Sequence, residues 1–146
     1  MSSNYSDAVA KTLLVPAMLL FFVAGFDRCS PAPGSPGADI LSTAFENHRS
    51  DFQVEGEGTV IRMLSDDTAG DRHQRFILRL ASKQTVLVVH NIDLAPRIDD
   101  LKVGDKVLFN GEYQWNAEGG LIHWTHHDPQ GRHTAGWIKH DGHTYQ

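Results

Sequence analysis

The chain has a single cysteine, Cys29, in 146 residues. No intramolecular disulfide can staple the fold, so the core must hold it unaided even in an oxidising compartment. Cations are also scarce: 13 Lys and Arg stand against 18 Asp and Glu, for a formal charge of −5. The deficit persists from residue 39 onward, where 11 Lys and Arg face 16 Asp and Glu. Such a surface repels polyanions and anionic lipid at long range, which excludes stable coating of DNA but not transient action on a nucleic-acid substrate. Long apolar runs are missing as well. The one candidate, "KTLLVPAMLLFFVAGF" at residues 11–26, falls short of the roughly 20 residues a full membrane span needs.

What that run does resemble is the core of a signal peptide, with a basic residue ahead of about 15 mostly apolar ones. Residues 1–28 are therefore read as a signal peptide, with an uncleaved membrane anchor as the alternative. Export to the periplasm or the exterior is expected, with tethering if the segment stays. Cys29 invites a lipoprotein reading, but Phe26, Asp27 and Arg28 occupy positions where small and apolar residues belong. Residues 29–38, "CSPAPGSPGA", are rich in Pro, Gly and Ser and predict a flexible linker. The remainder, 39–146, is the size of one domain.

Within that domain the apolar period changes from helical to two. "DILSTAFENHRS" places Ile40, Leu41, Ala44 and Phe45 on one face behind an Asp39 cap, which predicts a short helix with His48 on its face. "FQVEGEGTVIRML" alternates, and its glycines suit a strand that bends hard or lets another backbone approach. "HQRFILRLASKQTVLVVHNI" reads as a hairpin turning near residues 82–84. "LKVGDKVLFNGEYQW" reads as a turn into a long strand, and "NAEGG" as the turn into a fifth strand, "LIHWTHH". Asp141-Gly142 predicts a type I′ turn between His140 and His143, and Trp137 is expected to plug one barrel end. The fold class expected is mainly β: a small five-stranded barrel with a short N-terminal helix.

"LKVGDKVLFNGEY", taken with the glycine-bearing first strand, resembles the oligonucleotide/oligosaccharide-binding (OB) fold over residues 52–127. "HNIDLAPRI", "GEYQWN", "HWTHHDPQGRH" and "GWIKHDG" together resemble a family of short exported bacterial proteins of unknown function. That second resemblance implies no activity, so the chemistry has to come from the residues.

Residues 122–133, "IHWTHHDPQGRH", hold four of the nine histidines. On a straight strand His123, Thr125 and His127 share one side, and Trp124 and His126 take the other. His123 and His127 would then lie about 13 Å apart, too far to share a zinc ion bound at about 2.0–2.1 Å. The turn beyond offers a better set, because Pro129 and Gly131 can bring His133 back. His127, Asp128 and His133 are thus candidate ligands for a divalent metal such as Zn, Mg or Mn, with positions left open as in catalytic sites. The competing reading makes them metal-free catalytic groups or polar loop residues.

At the end of the third strand, "HNIDLAPR" offers His90 and Arg97 for the same cleft, a proton carrier and an anion stabiliser, with Asn91 and Asp93 as substrate-binding groups. Against this, Asp93 caps a turn and Arg97 pairs with a nearby aspartate. His73, between Arg72 and Arg75, is expected to be a solvated strand end. Tyr113, Trp115, Trp124 and Trp137 could form a stacking surface, though at least two of them are expected to pack the core.

Two functions follow. In the first, an exported metal-assisted hydrolase, most plausibly a phosphodiesterase or nuclease, uses His90 or His126 to move a proton, His127 at the ion, and Arg97 or Arg132 to neutralise phosphate charge. In the second, a non-catalytic exported protein binds a transition metal, a haem or a small polar ligand at the same rim.

Overall fold

Alternation of period two, interrupted by turn residues, produces seven strands behind one helix in a computed structural model that describes residues 36–146. The predicted signal peptide or anchor, the lipidation reading of Cys29 and the linker as far as residue 35 lie outside the described residues. Among the described residues no helix is long and apolar enough to cross a membrane.

Helix α1 spans Pro36–Glu46, so it begins ahead of the Asp39 cap and takes in the last positions assigned to the linker. Proline suits a first helical position because its φ is already helical and its missing N–H is not needed there. Gly37, Ala38, Leu41 and Ala44 are buried, and a Cβ on Gly37 would lie 2.0 Å from the Glu55 carbonyl oxygen. His48 is not on the helix face as predicted. It holds the left-handed position after the helix, at φ 52°, where the N–H of Arg49 reaches the Ala44 oxygen and its own N–H the Phe45 oxygen. Those two bonds are a Schellman ending, a place where glycine is usual. The His48 ring lies against Trp115, centroids 4.2 Å apart.

The strands are β1 Phe52–Met63, β2 His73–Leu80, β3 Thr85–Asn91, β4 Lys106–Gln114, β5 Leu121–His123, β6 Trp137–His140 and β7 His143–Tyr145. The first five close on themselves in the order β1-β2-β3-β5-β4, with β4 pairing back to β1 and β3 parallel to β5. This is a closed five-stranded barrel, consistent with an OB-like fold. Closure depends on β1 serving two partners: residues 52–59 pair with β4 and residues 58–63 with β2. A register shift between Val60 and Arg62 supplies the bend, as a bulge does. Gly56 faces Phe109, whose ring a Cβ would meet at 2.6 Å, so the glycine makes room for that ring.

Val60, Phe76, Leu78, Val88, Phe109, Tyr113, Ile122 and Ile138 fill the interior. β6 and β7 form a hairpin on β4 whose two-residue loop, Asp141 and Gly142, has both φ positive, as a type I′ turn requires. The predicted fifth strand, by contrast, ends at His123 rather than at residue 127. Trp124 takes φ 52°, a conformation costly for a bulky side chain, and the alternation assumed for the histidines stops there.

Candidate functional site

At the end of the barrel where β3 and β5 finish, the polar loops meet around a cavity of about 360 Å³. Its lining includes His73, Asn91, His123, Trp124, His126 and Arg132. Strand pairing explains two of these. His73 and Asn91 are directly opposite in the β2–β3 ladder, so their side chains share a face, while the neighbouring pair Gln74 and His90 points to the core.

His90 is fully buried beneath the cavity. Its Nε2 lies 3.2 Å from the Pro96 carbonyl oxygen, which can only accept, so Nε2 carries the proton. The Thr125 hydroxyl then donates to Nδ1 across 2.8 Å. Burial pushes the His90 pKa down to about 4, against smaller upward effects of these hydrogen bonds, with His126 and His73 adding to the downward pull. Both ring nitrogens are committed, so the expected proton carrier is a neutral strut between β3, the 92–98 connection and the loop after β5. Gln74 plays a parallel part, bonding both the N–H and the C=O of Ile98.

The 124–136 loop is built on Asp128. Its carboxylate accepts the backbone N–H groups of Gln130 (2.9 Å), Arg132 (2.6 Å) and His133 (2.9 Å), and these bonds hold its pKa below the usual carboxylate range, the Gln130 N–H foremost. The loop returns His133 flat onto Trp124, with centroids 3.6 Å apart and planes at 16°. It is fastened again where the Gly136 N–H meets the His126 oxygen at 2.9 Å. His126 donates from Nδ1 to the His127 oxygen at 2.8 Å, leaving Nε2 as its free acceptor. His127 itself is exposed.

The expected ligand set His127, Asp128 and His133 is therefore not assembled: the carboxylate is taken up by its own loop and His133 is stacked on an indole. Among the described residues no group of three His, Cys, Asp or Glu side chains is placed to hold a metal ion. Arg97 lies outside the cavity lining, bound to Asp66 and Asp99 at 3.0 Å each. Asp93 is at the cavity but bridges the Arg72 guanidinium and N–H, and the turn is capped instead by Asn91 Oδ1, which accepts the N–H groups of Asp93 and Leu94. Tyr113 is core, its hydroxyl donating to the Gly119 oxygen. Trp115 packs beside Phe45 and donates Nε1–H to that residue's oxygen. Of the proposed stacking aromatics, Trp124 lines the cavity; Trp137 instead carries Lys139 Nζ over its ring at 4.2 Å.

Of two further groups at the site, His123 was set aside on strand spacing and Glu112 was not considered. His123 lines the cavity, and Glu112 lies opposite it in the β4–β5 ladder, with Oε1 3.2 Å from His123 Nε2 and Oε2 3.8 Å from His133 Nδ1. Ending β5 three residues after the "NAEGG" turn would have exposed that pairing. His73 was likewise within reach through the hairpin register.

A family model described as "Protein of unknown function (DUF3465)" matches residues 29–146. No curated protein matches the chain.

Proposed function

We propose, for a chain that belongs to the DUF3465 family, that the cavity is the active site of an exported phosphodiester hydrolase in which imidazoles move the protons. The observation that carries this reading is the lining itself: three imidazoles, His73, His123 and His126, share one cavity with Arg132. Diester hydrolysis needs a base for the attacking water, an acid for the leaving oxygen and a cation near the phosphate. Arg132 forms no ion pair among the described residues and is free to meet an anion. The cavity is at the small end of ligand sites, which favours a single diester unit over a duplex. Export rests on the apolar leader at residues 11–26.

A divalent ion as cofactor would need Asp128 to release its N–H partners or the histidines to regroup, so the acid–base form of the reading is preferred. The same ring of imidazoles also suits a non-catalytic carrier of a transition metal or small polar ligand. Purified untagged chain, incubated with bis(p-nitrophenyl) phosphate, single-stranded DNA or RNA, decides between them. Magnesium, manganese, calcium, zinc and chelator form separate arms. Cleavage that survives chelator and is lost in His123→Ala and His126→Ala variants of intact fold supports the proposal. Cleavage that requires a metal would restore the metal-assisted mechanism, and no cleavage in any arm would leave the carrier.

A further inference from the structure

Among the described residues the Glu112 carboxylate pairs with imidazoles and with no lysine or arginine. Its side chain is 21% exposed, and the ion pairs of the described residues give it only His123 and His133. It stands on the first rung of the β4–β5 ladder from the loop, directly opposite His123, so backbone pairing sets the approach of the two side chains.

We infer that Glu112 is a positioning residue that holds His123 as its Nε2–H tautomer and so leaves Nδ1 as the proton acceptor at the cavity. This rests on the hydrolase reading for its purpose, though not for its geometry. A carboxylate accepts, so the 3.2 Å contact between Oε1 and Nε2 places the ring proton on Nε2. A neutral imidazole has one such proton, and Nδ1 is then a lone-pair nitrogen on a residue that lines the cavity.

The groups facing His123 come from three directions: Glu112 on β4, His133 on the returning loop and Asp51 ahead of β1. Burial lowers the His123 pKa, while Glu112 opposes the shift. The ring therefore rests neutral near pH 7, and the carboxylate stabilises the imidazolium that forms when Nδ1 takes a proton. In the step itself water loses that proton to Nδ1 as its oxygen bonds to phosphorus. The ester P–O bond breaks with its electron pair on the leaving oxygen, which takes a proton from solvent. The second oxygen of Glu112 faces His133, the ring stacked under Trp124, so the same carboxylate also steadies the residue that turns the chain out of β5.

Nitrogen-detected NMR of the His123 ring tests this at a pH where the ring is neutral, in the wild type, Glu112→Gln and Glu112→Ala. The wild type should show the Nε2–H form. The glutamine, whose amide oxygen still accepts, should keep it, and the alanine should show a mixture of tautomers. With bis(p-nitrophenyl) phosphate the alanine should lose roughly 10²-fold or more in kcat with little change in KM, and the glutamine should recover part of the loss. A wild-type ring protonated on Nδ1, or a tautomer unaltered in Glu112→Ala, overturns the inference. The expected tautomers without turnover by the wild type would sustain the positioning of Nδ1 and sink the hydrolase reading instead.

Discussion

Burial without a compensating charge determines how His90 answers to acid. Its folded-state pKa of about 4 lies below the ordinary 6.5, so between those values the unfolded chain binds more protons than the folded one. Stability from this group is complete above about pH 6.5 and is lost as pH falls toward about 4, a loss of about 3 kcal/mol over the window. Urea unfolding at pH 7 and pH 5 should show it, and a His90→Gln variant, weaker at both, should lose less between them. An equal pH dependence in the variant would place the titration elsewhere. Asp128 also loses its contribution as pH falls, but as an ionised group whose depressed pKa moves that loss below the usual carboxylate range. Asp128→Ala releases three N–H groups at once, so proteolysis within residues 124–136 should quicken while the melting temperature of the barrel moves little. Protection of that loop in the variant would show that the stack on Trp124 is sufficient alone.

At the level of elements, the site is made where regular structure stops. The core strands were legible because alternation has one solution once Val54, Val60, Phe76, Leu78, Phe109 and Tyr113 must face inward. The helix was legible from its apolar spacing, though the Asp39 cap missed its start, and the Asp141-Gly142 hairpin was legible from turn chemistry. The loop after β5 was not, because Trp124 adopts a backbone state that no propensity assigns to tryptophan. That state depends on contacts far along the chain: the Trp124 oxygen lies 2.0 Å from where a Cβ on Gly136 would sit, and the Asn110 oxygen 2.5 Å. Gly136→Ala should therefore cost about 1–3 kcal/mol by overpacking, and near-UV circular dichroism should report a displaced Trp124. A variant as stable as the wild type, with an unchanged spectrum, would mean that the loop has room the geometry denies. For the same reason Glu112, a strand residue of ordinary appearance, could not be joined to His123 by pattern alone: their partnership needs the β4–β5 register.

For the whole molecule, the charge of −5 opposes the approach of polyanions, and the cavity lining sets Asp71, Asp93 and Asp128 beside Arg132. On the hydrolase reading, added salt should raise kcat/KM for a single-stranded oligonucleotide by screening that repulsion and should leave a small monoanionic diester nearly unaffected. A fall with salt for the oligonucleotide would instead indicate a local basic track that outweighs the net charge. The seam of the barrel carries a kinetic consequence. β1 and β4 join residues remote in sequence, Phe52 with Tyr113 among them, and β5 is inserted between β3 and β4 by a few rungs only. Pairings between segments so distant in the chain form slowly. Glu112 and His123 are close in sequence and meet across the β4–β5 turn, but the cavity lining also takes His73 from β2, so a chain whose barrel is still open would hold the pair without the rest of the lining.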